Sequence, residues 1–261
     1  GTDAILVAAG IEAVSEGDFA ADNNATKLSF KTAASEAAAE KMSLSSTGDL
    51  TVSGDISADN FKFDGTNFTN SLLIGHSTTG TLSTANNNVG VGVNSLFKIT
   101  SGDGNTAIGN NAAAALTSSG NNTVIGQDCG GKLSTGSGSN TYVGGTTGYY
   151  NATGVYNTAV GSSALQGASG QNNSSNTAIG YQAIAAITTG DYNIGLGRAA
   201  GNNITSGSGN VVIGNADVSS ATGDDQLSIS DGEDGAVVWM TGDSSGNVIH
   251  AGTTHAAGGQ L

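Results

Sequence analysis

The chain has 261 residues, including 42 glycines and no proline, and 37% of the residues are hydrophobic, 5% aromatic and 11% charged. The charged share is below half of the roughly 25% found in globular proteins, so the composition argues against a thick globular core. A net charge of −14 argues against nucleic acid as a partner, because phosphate binding needs clustered basic residues. No stretch approaches the 18 apolar residues of a membrane-spanning helix, so membrane insertion is not expected.

Residues 1–87 are predicted to form an N-terminal strand module followed by a cap. Short segments alternate apolar and polar side chains between glycine turns, which is typical of strands: residues 27–30, 41–44 and 49–53. Phe61, Phe63 and Phe68 are expected to cover the first coil of the region that follows. Such a cover is needed because an open coil end exposes unpaired backbone groups.

Between residues 88 and 214 one five-residue phrase returns eight times: Asn, a β-branched residue, a variable residue, Ile, Val or Leu, and Gly. A fixed period of 17–19 residues indicates stacked structural units. We number each repeat from its Asn as position 0. These asparagines are Asn88, Asn105, Asn122, Asn140, Asn157, Asn176, Asn193 and Asn210.

The phrase reads as a strand that ends at a corner. Position 1 is β-branched and position 3 is Ile, Val or Leu, and both share a strand face, which we expect to be the core. Position 2, on the opposite face, is mostly small. Position 4 is always Gly, which suits a corner that requires positive φ.

A second set of positions follows in most repeats. Position 7 is small, and position 11 is apolar except for Asn151 in the fourth repeat. We therefore expect one coil per repeat, with two short strands and two corners. The prediction is an all-β fold, a parallel β-solenoid or β-roll. Its coils would rise by about 4.8 Å each, and its asparagines would stack in an amide ladder.

Residues 215–261 are predicted to form a C-terminal strand module. Residues 226–229 resemble residues 27–30, and residues 244–252 resemble residues 46–54 position by position. The same strand-turn-strand pattern therefore brackets the solenoid on both sides.

The recurring Asn-Thr-Ala-Ile-Gly at residues 105–109 and 176–180, with Ala164-Leu165, resembles the repeat of bacteriophage tail-fibre proteins. It is also similar to the β-roll head repeat of trimeric autotransporter adhesins. The resemblance covers residues 27–252.

The resemblance implies a homotrimer that acts in host attachment. It implies an extracellular location in the virion tail fibre, with other tail proteins and a host-surface glycan or protein as partners. The alternatives are a bacterial trimeric cell-surface adhesin and a polysaccharide-degrading tailspike.

The sequence gives little support for an enzyme, a metal or a cofactor. Glycoside cleavage needs two carboxylates at a fixed separation, whereas Asp103, Asp128 and Asp191 are scattered through the repeats. The acidic segment 224–234 could bind Ca²⁺ through oxygen ligands, but a solvated turn is the favoured interpretation. Cys129 occupies the small position 7 and is interpreted as a packing residue.

The tyrosines are the candidate receptor contacts, because exposed aromatic rings commonly stack on sugars. They also suit packing between subunits, which is the favoured interpretation. The candidates are Tyr149, Tyr150, Tyr181 and Tyr192. The threonines at position 1 invite an ice-binding interpretation. Such surfaces need a second Thr two residues on, whereas position 3 is Ile, Val or Leu, and the face is expected to be buried, so both observations argue against it.

Overall fold

The computed structural model describes residues 9–17, 25–32, 38–53, 63–65, 68–74, 83–169 and 172–250. Within these ranges the protein is all-β and contains no helix. The chain divides into two compact units, residues 1–61 and 62–261.

The first unit is a four-stranded antiparallel sheet. Its strands are β1 (Ala9–Ser15), β2 (Thr26–Thr32), β3 (Ala39–Leu44) and β4 (Leu50–Val52), paired in chain order. Lys27 and Glu40 form an ion pair across β2 and β3 at 2.8 Å, and Ser29 Oγ donates to the same carboxylate at 2.8 Å. A polar cluster therefore joins the two central strands.

The second unit is built on one 13-stranded sheet whose strands follow chain order. The strands are β5 (Phe63–Gly65), β6 (Phe68–Ile74), β7 (Val89–Val91), β8 (Thr106–Ile108), β9 (Thr123–Ile125), β10 (Thr141–Val143), β11 (Thr158–Val160), β12 (Thr177–Ile179), β13 (Ile194–Leu196), β14 (Val211–Ile213), β15 (Leu227–Ser230), β16 (Val238–Gly242) and β17 (Val248–His250).

The predicted parallel β-solenoid is confirmed, with about eight turns. Strands β6 to β15 pair in parallel without register shifts, so the parallel stack extends one strand beyond the eight repeats at each end. Strands β15, β16 and β17 pair antiparallel. The expected phenylalanine cap lies outside the described residues: Phe61 is not described, and only the backbone of Phe63 and Phe68 is.

The assignment of the core face is wrong. Position 2 points into the coil and is fully buried, as Ala107, Val124 and Ala178 show, whereas no side chain at positions 1 and 3 is buried. Ile108 and Ile179 at position 3 are 38% and 43% exposed. The interior is filled by position 2 together with larger side chains at positions 8 and 11, such as Leu96 and Leu116, so the Thr, Val, Ile and Leu residues at positions 1 and 3 form an outward face.

The expectation of two strands per coil is also wrong. The second side of each coil, positions 5 to 11, is a chain of turns, with positive φ recurring at positions 6 and 8, as at Asn111 (56°) and Ala113 (49°). Hydrogen bonds still join neighbouring coils on this side, for example from Ala113 N to Cys129 O at 3.0 Å. We call positions 5 to 11 the turn side and positions 1 to 3 the strand side.

The side chains at positions 2 and 8 compensate in size across the interior. Tyr142 faces Gly148, where an added Cβ would lie 2.5 Å from the ring. Small Ala178 shares its coil with the larger Ile184, and both are fully buried. Asn151 interrupts the apolar position 11 because its Nδ2 donates to Tyr142 Oη at 3.0 Å. The irregular fourth repeat thus accommodates one buried tyrosine.

Candidate functional site

The eight repeat asparagines lie directly above one another and are buried. In the first seven, the side-chain Oδ1 accepts two hydrogen bonds from the next asparagine, one from its backbone N–H at 2.9–3.1 Å and one from its Nδ2 at 2.9–3.2 Å. In most coils Nδ2 also donates to a backbone carbonyl at the far corner, as from Asn140 to Gly154 O at 2.9 Å. The amide therefore ties each coil to its neighbour and closes its own coil.

The ladder continues for one more residue, which the repeat pattern in the sequence does not include. Gln226 donates to Asn210 Oδ1 through its backbone N–H at 2.9 Å and through Nε2 at 3.1 Å. Its Oε1 then accepts from Ser220 N and from Ser219 Oγ, which lie in the same turn. The longer side chain folds back onto its own coil. The signal in the sequence was an amide residue 16 positions after Asn210, directly before β15.

The structure brings together only one pair of the candidate tyrosines. The rings of Tyr149 and Tyr150 meet edge to face with centroids 4.7 Å apart. Tyr181 and Tyr192 are 51% and 69% exposed, but they lie at opposite corners, Tyr181 after β12 and Tyr192 before β13.

Two tyrosines that are not candidate contacts differ in exposure. Tyr142 is fully buried inside its coil, and burial raises the pKa of its hydroxyl. Tyr156, which was not a candidate, is 67% exposed and occupies position −1, the same position as Tyr192. Since these two side chains lie two coils apart, they are separated by about 9.6 Å, with Ser175 between them.

The three aspartates of the repeats take part in structural hydrogen bonds. Asp103 accepts from Asn86 N at 2.7 Å, Asp191 from Ser174 N at 2.6 Å, and Asp128 from Asn111 Nδ2 at 2.8 Å. Asp103 and Asp191 occupy the same corner position five coils apart, about 24 Å. Paired carboxylates of glycosidases lie about 5–9.5 Å apart.

Strand β15 divides the acidic segment 224–234, and the acidic residues that follow the strand lie in a turn that satisfies its own backbone. The Asp231 carboxylate accepts hydrogen bonds from the backbone N–H groups of Glu233, Asp234, Gly235 and Val237, which hold its pKa below the usual range. Asp224 Oδ1 accepts from Ser208 N at 2.8 Å. Within the described ranges, no three His, Cys, Asp or Glu side chains are grouped in a way that could hold a metal ion.

Cys129 is buried against the strand side, with Sγ 3.4 Å from Tyr142 O, and burial raises the pKa of its thiol to about 12. A thiol this difficult to ionise is a packing group, since the thiolate is the reactive form. Among the histidines, His250 is exposed, whereas His76 and His255 lie outside the described residues.

Comparisons with known proteins found nothing: no family model, no curated protein and no solved structure matches the chain. In the described part of the chain, no helix has the length and apolar character needed to cross a bilayer.

Proposed function

We propose that this chain is a structural segment of a viral tail fibre that assembles as a homotrimer and takes part in host attachment by binding. The observation that carries the proposal is the outward strand side of the solenoid. It presents an unbroken row of Ile, Val and Leu side chains at position 3, and such a row is typical of a surface that another chain covers.

The outward face is suited to copies of the same chain. Ten parallel strands present twenty side chains at positions 1 and 3, close to the about 20–30 residues that each partner contributes to a standard interface. None of these side chains is charged, so identical copies meet without repulsion on this face despite the net charge of −14. The stack of ten strands extends over about 43 Å.

The architecture favours a rigid spacer. Every coil bonds only to its neighbours, so the stack gains stability with each repeat and needs no globular interior. The buried Asn ladder fixes the register of the coils along the whole stack. A thin rod of this kind suits a role in holding binding surfaces away from a particle.

The resemblance of the repeat favours a phage tail over a bacterial surface adhesin, which is the second candidate. The third candidate, a polysaccharide-degrading tailspike, is disfavoured by the separation of the aspartates and by their structural hydrogen bonds. An intersubunit site could still combine aspartates of different copies, so the test includes a degradation assay.

One observation favours a further candidate. Thr106, Thr123, Thr141, Thr158 and Thr177 form an outward row at position 1, so the burial argument against ice binding does not hold, whereas the lack of a second Thr row at position 3 still argues against it. Ice would need this face uncovered, whereas a homotrimer would cover it. Thermal hysteresis in a solution of the monomeric protein would support ice binding, and its absence would remove that candidate.

The experiment is immunogold labelling with antibodies raised against the protein, applied to virus particles and to bacterial cells from the source of the sequence. Label on phage tails supports the proposal, and label on cell surfaces favours the adhesin. In parallel, capsular polysaccharide incubated with the protein should keep its size distribution, since shortening of the polymer would favour the tailspike.

A further inference from the structure

An open cleft of about 210 Å³ lies on the turn side of the first three coils. It forms because small residues interrupt two outward positions, 9 and 10. Ala114, Ala115 and Gly131 form the floor, while Phe97 and Lys98 rise from the preceding coil. The cleft therefore results from side-chain size on neighbouring coils and not from a long loop.

Two of the seven basic residues of the chain meet at this cleft. Lys98 and Lys132 both occupy position 10, two coils apart, which separates their backbones by about 9.6 Å. Both are exposed, and neither forms an ion pair within the described part of the chain. The nearby Asp128 carboxylate accepts hydrogen bonds from Asn111 and Gln127.

The ring of Tyr149, on the next coil, contacts two of the residues that line the cleft. The ring of Tyr149 lies against Gly131, where an added Cβ would be 2.6 Å from Cε2, and it meets Tyr150 edge to face. Lys132 Nζ lies 5.6 Å from the centroid of the same ring, within the range of a cation–π contact. Glycine at position 131 thus lets the ring pack beside the lysine.

We propose that this cleft binds an acidic oligosaccharide. Lys98 and Lys132 would hold the carboxylates of two sugars, and a sugar ring would stack on the ring of Tyr149. The spacing of the lysines across two coils suits a glycan that carries a carboxylate on alternate sugars. A long polyanion such as nucleic acid is disfavoured, because only two cations face the cleft on a chain of net charge −14. The inference rests on the proposed function, since it names the chemistry of the host-surface ligand.

The cleft and the proposed trimer interface do not compete for the same surface. Positions 9 and 10 lie on the turn side, whereas the apolar row lies on the strand side, and the buried residues at positions 2, 7, 8 and 11 separate the two. The cleft of each copy would therefore remain open in a trimer that packs through the strand side.

The test is calorimetric titration of the full chain with a short oligosaccharide of alternating glucuronate and N-acetylglucosamine. The neutral probe is the same oligosaccharide with its carboxylates reduced to alcohols. We expect the acidic probe to bind and the double variant Lys98→Gln/Lys132→Gln to weaken its binding at least about tenfold, because two charge-assisted contacts are lost. Arg198→Gln removes an exposed cation elsewhere on the solenoid and should leave binding unchanged.

The proposal is overturned if the wild-type chain binds neither probe, if it binds both equally, or if the double variant binds as the wild type does. An equal loss in Arg198→Gln would also overturn it, since that result would indicate a general charge effect. Immunogold label on phage tails together with any of these results would retain the proposed function and reject the cleft. Binding of the acidic probe without label on phage tails would retain the cleft as a binding site and reject the proposed function.

Discussion

Asn122 and Asn105 meet through a single oxygen atom: Asn105 Oδ1 accepts the backbone N–H of Asn122 at 3.0 Å and the Asn122 side-chain Nδ2 at 3.0 Å. Both asparagines are buried. An asparagine side chain has the length and the paired donor and acceptor to repeat this contact in every coil. One asparagine in each repeat therefore gives one stabilising contact between each pair of neighbouring coils.

Replacing Asn122 by alanine should destabilise the solenoid strongly. The change removes the acceptor for the backbone N–H and the Nδ2 of Asn140, which donate to Asn122 Oδ1 at 3.1 Å each. Two buried N–H groups that lose their acceptor cost about 2–5 kcal/mol of unfolding free energy. Chemical denaturation measures the loss. The exposed Asn110→Ala is the matched control and should change stability by less than about 0.5 kcal/mol.

Gly126→Ala should be far more damaging than Gly136→Ala. Both glycines have positive φ, 137° and 89°, so both substitutions carry backbone strain. At Gly126 the added Cβ would also lie 2.4 Å from Gly144 O in the next coil, whereas at Gly136 nothing lies within 4 Å. We expect about 1–2 kcal/mol of destabilisation for Gly136→Ala and several kcal/mol for Gly126→Ala. Equal thermal unfolding temperatures for the two variants would contradict the close stacking of the corners.

The sheet of the first unit should lose stability in acid. The ammonium of Lys27, with the hydroxyls of Ser29 and Ser43, lowers the pKa of Glu40 from 4.5 to about 2. Because the folded-state pKa is depressed, the ionised carboxylate contributes stability that is fully present above pH 4.5 and is lost as the pH falls toward about 2. Hydrogen exchange of β2 and β3, corrected for its intrinsic pH dependence, measures the effect.

Glu40→Gln should remove most of this pH dependence, since the amide does not titrate. Glu233→Gln, an exposed change in the other unit, should leave it as in the wild type. Protection of β2 and β3 that falls equally with pH in the wild type and in Glu40→Gln would show that another group is responsible.

Much of the fold could be predicted from the sequence, because the asparagine period fixes both the coil length and the strand that follows each Asn. Which strand face points into the coil could not be predicted. Alternation along a strand defines two faces, and the apolar β-branched face looked like a core. That rule assumes that the larger apolar side chains of the strand fill the interior, whereas here larger side chains from the turn side, such as Leu116, occupy it beside Ala107, and Ile108 faces outward.

The candidate sites are harder to predict from the sequence, because they depend on residues one or two coils away. The cleft requires Ala115 between Lys98 and Lys132, which are 34 residues apart in the sequence. The pairing of Tyr142 with Gly148 was accessible as a complementary change of size six residues apart. The sequence pattern does not point to it, because the alternation of side chains predicts an outward direction for position 2.

Ile179→Asp should disrupt assembly without disrupting the fold. Its side chain is 43% exposed on the strand side, so a carboxylate is tolerated in one chain but would be buried where copies meet. We expect the variant to sediment as a monomer of 25.4 kDa with an unchanged circular dichroism spectrum. Ala186→Asp introduces the same charge on the exposed turn side and should sediment as the wild type does.

The native mass of the unmodified chain in solution tests the account most directly. The proposed homotrimer, packed through the strand side, predicts a species of three times 25.4 kDa that persists on dilution to low micromolar concentration. A stable species of 25.4 kDa under the same conditions would contradict the homotrimer and leave the outward apolar face for another partner.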